Sequence, residues 1–542
     1  MSVITEILAA SLSDRPVVWR RADGQDDIHR RTAIIDVACQ CAAGLRDHGV
    51  TSGQVVGLVL PQGIELIQTW LGCLVLGAIP TILPPPGERQ PPKLWRQNLR
   101  HVIIYTGARA LVHGPELPGA LRDLDEPLPN ASRFIAADQL TTGSERMDPV
   151  STEPDRIVLL QHSSGTTGLQ KGVVLTNRTI LRQIELYQRA IALEPAHDKI
   201  ASWLPLYHDM GLVACLLLPM ITGTELVFMD NFGWALNPSM LLGAISQHRS
   251  TLCWLPNFAF NFLASRISET QKEPLHLNSV RMWINCSEPV RRESFEKFTA
   301  AFSAQGVRGE SLASCYAMAE NTFAVTQSIP GFRPAMIPTG DLVSSGVPLV
   351  DHAVRILYEG GKECPAGVMG NIQIQSPCLM DGYYRDERRS AEVLRDGWYD
   401  TGDLGLLQDG ELYVCGRRKD LIILAGKNVF PEDVEQVADD VEGVAPGRTA
   451  AFGVYDDAEG TETLILLAEY PRDLEPTTAQ HRQIQRAIKK DIANRLGLRA
   501  QAVLLLAPRT LLKSSAGKIS RSRCKTLYLE QLLPVADAQK PW

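Results

Sequence analysis

The sequence offers little to a polyanion. Across 542 residues, 54 Lys and Arg stand against 61 Asp and Glu, a formal charge of −7, so there is no electrostatic footprint for a phosphate backbone and nucleic acid is not expected as a partner. It also lacks the unbroken apolar run of about twenty residues that a bilayer demands. The longest uncharged stretch, Leu66 to Pro86, is interrupted by Pro80 and ends in Pro84, Pro85 and Pro86, and another, Leu212 to Thr224, contains Pro219; both read as buried strands and helices, and no membrane span is expected. The first residues, MSVITEILAASLSDRP, have no basic flank and carry Glu6 inside the apolar stretch, which fits a short amphipathic helix and not a secretory signal.

Paired cysteine motifs are missing as well. The eleven cysteines are odd in number and scattered through apolar runs; Cys39 and Cys41 form a CxC with no second pair and no spaced histidines. A disulfide framework and a zinc knuckle are thereby disfavoured, and buried, reduced thiols in the cytosol are expected. No repeat of 20 to 50 residues is evident. With 45% hydrophobic and 21% charged residues, wholesale disorder, collagen and coiled coil are excluded, and the length suits three or four units or one large globule with an appendage.

What is present is an alternation of strand-like apolar runs and helix-period segments, the pattern of a mixed α/β protein. Ile157 to Leu160 reads as a strand, His162 to Gly172 as a polar loop, and Ile180, Ile184, Tyr187 and Ile191 as one helical stripe, which places the loop between a strand and a helix. Residues 82–92 (ILPPPGERQPP) and Pro330 to Pro348 read as surface connections. After GRRKDLI the texture changes to a compact α+β piece: a strand over Thr463 to Tyr470, a helix bearing Ile484, Ile488, Ile492 and Leu496, and a strand over Val503 to Ala507. Two domains are expected, 1–418 and a smaller α+β domain 419–542, with the boundary at Lys419.

The strongest local signal is Ser163, Ser164, Gly165, Thr166, Thr167, Gly168, Leu169, Gln170, Lys171, Gly172. Small hydroxyl residues and glycines present backbone N–H groups and rotatable hydroxyls to phosphate oxygens, and the lysine adds a point charge. It is not the GxxxxGK[ST] loop of kinases and GTPases, because Gln170 and Gly172 stand where that pattern needs Gly and Ser or Thr.

At this loop the chain resembles the adenylate-forming superfamily of acyl-CoA synthetases, fatty acyl-AMP ligases, luciferases and nonribosomal adenylation domains. Further motifs follow in order: WLPLYHDMG (203–211) is similar to the family's gate, NCSEP (285–289) and YAMAE (316–320) to its adenine segments, YDTGD (399–403) to its ribose motif, GRRKD (416–420) to its hinge and SSAGKISR (514–521) to its C-terminal lysine loop. The resemblance spans nearly the whole chain. It implies a large N-terminal domain with a mobile C-terminal one, ATP and a carboxylic acid as substrates, Mg²⁺, and CoA or a phosphopantetheinyl carrier protein as the thiol partner, with a homodimer as an assembly open to it.

The residue types suit that chemistry. A weak carboxylate nucleophile must attack an α-phosphate, so gathering negative charge has to be neutralised. The resemblance implies that Lys518 bridges the carboxylate and the α-phosphate, that Glu320 holds Mg²⁺, and that His208 and Thr167 also stand at the chemistry. It puts Ser163 to Gly168, Lys171, Ser287, Glu288, Pro289, Tyr316, Ala317 and Met318 on the nucleotide. Asp403 and Arg417 would hold the ribose, Lys419 the hinge, and Gly426 the face that admits a pantetheine thiol after the small domain rotates. The acyl pocket is expected from Trp203, Tyr207, His208, Asp209, Trp254 and Phe258.

Some positions depart from the pattern. Gln170 replaces a usual proline, Ala317 a usual glycine, and Ala319 a threonine. HDMGL, SEPVRRESF and YAMAEN look most like the acyl-AMP ligase branch, yet that branch's insertion before the ribose motif is missing: RDERRSAEVLRDGW runs straight from the Tyr383 segment to Tyr399. A freely rotating small domain favours thioester formation with CoA, so the expectation is an acyl-CoA ligase in fatty acid or natural-product metabolism. A carrier-loading acyl-AMP ligase, an amino-acid adenylating enzyme with Asp209 on the substrate ammonium, and a protein keeping one half-reaction are the alternatives.

Overall fold

Parallel strands fill the centre of a nine-stranded sheet, counted among the described residues. In spatial order the parallel strands are Leu312–Ala317, Met282–Cys286, Leu252–Leu255, Lys199–Ser202, Glu225–Met229 and Val17–Arg20; antiparallel Asp26–His29 closes one edge, and Ala324–Gln327 and Val347–Pro348 the other. Their sequences, such as ELVFM, LCWL and MWINC, are buried at every position, as strands covered on both faces must be. The computed structural model describes residues 2–534 apart from 88–91, 116, 118, 120–132, 143–144, 164–170, 338–341, 425–426, 457–459 and 514–518.

A second, four-stranded parallel sheet (Ile79–Ile82, Val55–Val59, Ala110–His113, Arg133–Ala136) and an antiparallel sheet carrying Trp398–Gln408 and Glu411–Arg417 complete the large N-terminal domain. The uncharged run from Leu66 folds as the buried helix Ile64–Leu76 and the strand Ile79–Ile82. The run from Leu212 lies within a wide π-turn, Met210–Leu217, and the helix Leu218–Thr222. Among the described residues no helix is long and apolar enough to cross a membrane. All eleven cysteines are free thiols, ten of them buried.

Two sequence expectations need correcting. The polar loop does not lie between a strand and a helix: Ile157–Ser163 and Lys171–Thr176 pair antiparallel, with Ser163 opposite Lys171, so the loop is the tip of a hairpin. Val173 and Val174 are β-branched residues that favour the pleat, and the helix starts only at Asn177, where Thr176 and Thr179 form a reciprocal cap. Nor is the 330–348 segment wholly at the surface. Val343, Ser344 and Ser345 are buried, and the carbonyls of Ser344 and Ser345 accept from Ser314 Oγ and Thr326 Oγ1.

The smaller C-terminal domain has its own core. A three-stranded sheet, Thr449–Asp456, Thr461–Glu469 and Ala500–Leu506, sends Ala451, Leu464 and Leu466 to one face with Ile484, Ile488 and Ile492 of the helix Thr478–Leu496. The alternate residues Ala450, Phe452, Ile465 and Leu467 meet Cys524 of the helix Arg521–Leu529 on the other. Three polar contacts tie the two domains through facing helices: Arg291 Nη1 to Asp433 Oδ1 at 2.8 Å, Gln436 Nε2 to Glu293 Oε2 at 3.1 Å, and Lys297 Nζ to Asp440 Oδ1 at 3.4 Å.

Candidate active site

In an open parallel sheet the residues just beyond the carboxyl ends of the strands line the ligand crevice. Here the strand ending at Ser202 leads into Trp203 and Tyr207, the one ending at Met229 into the short helix of Trp234, and the one ending at Leu255 into Phe258. The strand ending at Cys286 leads into Ser287, Glu288 and Pro289, and Leu312–Ala317 leads into Met318 and Glu320. Glu288 is half-buried and its Oε2 accepts the backbone N–H of Phe258 at 3.0 Å, which joins two of these exits. Ser287 sits at φ +74, with its Oγ near Met210 Sδ.

Tyr316, Asp403 and Arg417 converge from three strands. The Tyr316 hydroxyl donates to Asp403 Oδ2 at 2.6 Å, and Arg417 Nε stands 3.3 Å from Oδ1. Asp403 and Arg417 are paired across antiparallel strands. Asp403 is buried, whereas the Arg417 side chain is 51% exposed. Burial and the neighbouring carboxylate push the Tyr316 phenol well up, and Asp403 raises the Arg417 guanidinium, so the phenol stays neutral and the guanidinium charged. Thr401 Oγ1 holds the Asp403 N–H and donates to the Ile372 carbonyl.

Beside it lies a second cluster. Tyr383 donates its hydroxyl to Glu320 Oε1 at 3.0 Å, and the Tyr399 hydroxyl is 3.4 Å from it. The ammonium of Lys171, at the foot of the hairpin, stands 4.6 Å over the Tyr383 ring. Burial lowers the Lys171 pKa against the opposing pull of Glu320. The hairpin is fastened here: Val174 N–H bonds the Gly382 carbonyl, and Tyr384 N–H the Gly172 carbonyl.

At the carboxyl ends of neighbouring strands an aromatic wall forms. Trp203 and Trp234 stack at 3.5 Å between centroids and 7° between planes, with Phe258 edge-on to both and Phe262 tilted against Trp234. Tyr207 is fixed through its carbonyl by Gln161 Nε2 and through its hydroxyl by Asn231 Nδ2. Asp209 is committed to structure: its Oδ1 accepts the Met210 N–H at 2.8 Å, at the start of the π-turn, and meets His208 Nδ1 at 2.6 Å. Gly211 lies where a Cβ would meet the Pro205 carbonyl at 2.3 Å, so the turn can close on this segment only with glycine. Trp254 is not part of the wall. It is fully buried, and its N–H donates to the Tyr187 hydroxyl, which donates in turn to Gln327 Oε1.

Lys419 follows Arg417 on the exit from the last of these strands. Its side chain keeps an exposed surface, but withdrawal from bulk water and the nearby Arg417 bring its ammonium down to about 8, with Lys171 adding to the effect. Arg521 closes the other end of the lysine-loop motif on this region. Its guanidinium binds Glu435 twice, Glu432 at 2.8 Å and Asp420 at 3.3 Å. The base of that loop is held by a bridge between Lys513 and Ile519.

The family model for AMP-binding enzymes matches residues 34–384. The chain belongs to the AMP-binding enzyme family. Among relatives, a Mycobacterium tuberculosis protein, Rv1013, provisionally named a ligase, is 30% identical over 92% of this chain and 94% of its own length. A medium-chain-fatty-acid–[acyl-carrier-protein] ligase of Moorena producens is 29% identical over 89% of this chain and 87% of its own. A solved structure from a study of fatty acyl-adenylate ligases of E. coli and L. pneumophila superposes with a TM-score of 0.89 at 27% identity, covering 98% of both chains. This is an adenylate-forming ligase, and ATP is the nucleotide its family implies.

Of the residues expected from sequence, the AMP-binding fold brings Tyr316, Asp403, Arg417, Lys171 and Glu320 together, and Trp203, Tyr207, His208 and Phe258 at the same strand ends. Ser164, Gly165, Thr166, Thr167, Gly168, Gly426 and Lys518 lie outside the described residues, as does the side chain of Ser163. Sequence reasoning missed Tyr383, Tyr399, Trp234 and Arg521. Tyr399 opens the ribose motif and Arg521 closes the lysine motif, but only contacts distant in sequence give them roles.

Proposed function

We propose that this chain is an acid–thiol ligase that activates a carboxylic acid with ATP and passes the acyl group to CoA. One carboxylate oxygen of the acid attacks the α-phosphorus, the bond to the β-phosphate oxygen breaks and pyrophosphate leaves. The CoA thiolate sulfur then attacks the acyl carbon, and AMP leaves with the electrons of the acyl–phosphate bond. The single observation carrying the reading is the joint placement of Asp403 with Tyr316 and Arg417 beside Lys171 and Glu320, at the carboxyl ends of the parallel strands.

In this reading Tyr316 flanks the adenine, and Asp403, with two acceptor oxygens, takes the ribose hydroxyls alongside Arg417. Lys171 serves the phosphates as a point charge. Among the described residues no group of three or more His, Cys, Asp or Glu could hold a metal alone. Mg²⁺ fits nonetheless, because it is usually bound through one or two carboxylates plus substrate phosphates. Glu320, steadied by Tyr383, is the residue that would hold it, and the ion would supply neutralisation of phosphate charge. Lys518 would bridge the carboxylate and α-phosphate in the first half-reaction. Rotation about Lys419, the boundary between 1–418 and 419–542, would then present the Gly426 face to the thiol. The short connection from Tyr384 to Trp398, folded as the helix Glu387–Val393 and a two-residue strand, supports CoA as acceptor because it leaves that rotation unhindered. We place the enzyme in the cytosol, which keeps its thiols reduced.

Loading of a carrier protein is the second reading, favoured by likeness to the Moorena producens carrier-protein ligase. The Met210 N–H bond and the His208 Nδ1 contact already held by Asp209 weigh against its pairing with a substrate ammonium. Mass spectrometry of products from ATP, Mg²⁺ and a mixed panel of fatty, aromatic, polycyclic and amino acids, with and without CoA, tests the proposal. Acyl-CoA formed only when CoA is present is the expected result. Acyl-AMP that persists with CoA and is consumed by a holo carrier protein would replace it with the second reading.

A further inference from the structure

Trp203 and Trp234 are 4% and 2% exposed, and neither indole N–H has a hydrogen-bond partner among the described residues. An indole N–H is a donor only, and buried donors are nearly always satisfied. Two other buried indoles do find acceptors: Trp95 donates to the Pro84 carbonyl and Trp254 to the Tyr187 hydroxyl. Trp283 is also unpartnered, but it lies inside a central strand against Phe298, away from the strand ends. The stacked pair is different in position. Trp203 immediately follows a parallel strand, Trp234 lies on the helix after the next one, and Phe258 closes against both.

The other polar groups of this wall are already engaged. The Trp203 carbonyl accepts from Gln62 Nε2, and the Tyr207 hydroxyl from Asn231. Two buried donors on one aromatic stack are therefore left over among the described residues, and a few unspent polar groups among apolar side chains are how a ligand site sets orientation.

We propose that the acid this enzyme activates carries, besides its carboxylate, an oxygen acceptor such as a keto or phenolic oxygen, and that Trp203 Nε1 and Trp234 Nε1 recognise it. This deepens the acyl-adenylate reading and rests on it. A plain alkyl chain would leave both donors unpaired in the complex, whereas an oxygenated acid satisfies at least one. A site built to bond a polar group rejects the analogue lacking it.

The test is ATP–pyrophosphate exchange by the full-length protein with paired acids: 3-phenylpropanoate against its 4-hydroxyphenyl counterpart, and a straight-chain acid against its keto counterpart. The wild type is expected to favour the oxygenated member of a pair by about tenfold in kcat/KM, the size of one buried hydrogen bond. Trp234→Phe and Trp203→Phe, made separately, keep the stacked rings and should bring that ratio towards one. Equal use of both members by the wild type, or an undiminished ratio in folded variants, overturns the proposal. If one variant does not fold, the other and the wild-type ratio decide. Exchange with none of the acids overturns the adenylation reading itself, and this inference with it.

Discussion

The hydroxyl of Tyr316 donates to Oδ2 of Asp403 at 2.6 Å across 87 residues of sequence. The bond fixes the rotation of the carboxylate while Arg417 stands at the other oxygen, so the group that we propose holds the ribose is oriented before ATP arrives. Tyr316→Phe keeps the ring but frees the carboxylate, and should raise the KM for ATP several-fold. Asp403→Asn should raise it further. Because the residues touch, the double variant is expected to cost less than the two singles combined. Pyrophosphate exchange against ATP concentration measures this; strict additivity would refute the coupling.

Lys518→Ala should suppress adenylation by several orders of magnitude while leaving thioester formation from a supplied acyl-adenylate largely intact. The first half-reaction needs a cation between two anions, and the second does not. Equal loss of both, measured by exchange and by thioester release, would sink the two-state domain model.

His162, the residue before the loop's first serine, is buried, and neither ring nitrogen has a hydrogen-bond partner among the described residues. Desolvation, with a smaller contribution from His101, pushes its pKa down to about 4. The unfolded chain takes up a proton near pH 6.5 and the folded chain only near 4, so stability is full above 6.5 and is lost as pH falls between the two. The loss is about 3 kcal/mol. His162→Phe should flatten that part of the stability profile in urea titrations at pH 7, 5.5 and 4.5. An unaltered slope would mean the imidazole is hydrated.

Lys419 should be the most nucleophilic lysine of the crevice, since an ammonium near 8 is about half neutral at that pH. Acetylation in small trace, followed by peptide mass spectrometry from pH 7 to 10, is expected to show its labelling midpoint near 8, with protection by ATP. A midpoint at the ordinary lysine value of about 10.4 would contradict the electrostatic crowding by Arg417 and Lys171.

Arg521→Ala should destabilise the C-terminal domain by roughly 3 kcal/mol, the cost of leaving buried charges unpaired. Glu435, Glu432 and Asp420 all lose their cation. Thermal melting reads the loss, and an unchanged midpoint would show that solvent replaces the guanidinium.

Much of this was legible in the residues alone. Apolar runs such as ELVFM and MWINC demand burial on both faces, and that is enough for a parallel sheet; the Ile484, Ile488, Ile492 stripe is a helix wherever it is placed. The loop of hydroxyls and glycines, the acid in YDTGD and the lysine in SSAGK carry their chemistry in their side-chain types. The sequence misled where local rules conflict: Lys171 to Thr176 could enter a helix, and only pairing with Ile157–Ser163 and the Gly382 carbonyl makes it a strand. Tertiary structure alone decided that Tyr316 orients Asp403, that Tyr383 holds Glu320, that Asp209 is spent on its own turn and that Trp234, not Trp254, stacks on Trp203. The reason is physical. A side chain's type sets what it can donate, accept or stack upon, but hydrogen bonds and ring contacts are short-ranged, and which partner comes within reach depends on how distant strands are ordered in the sheet.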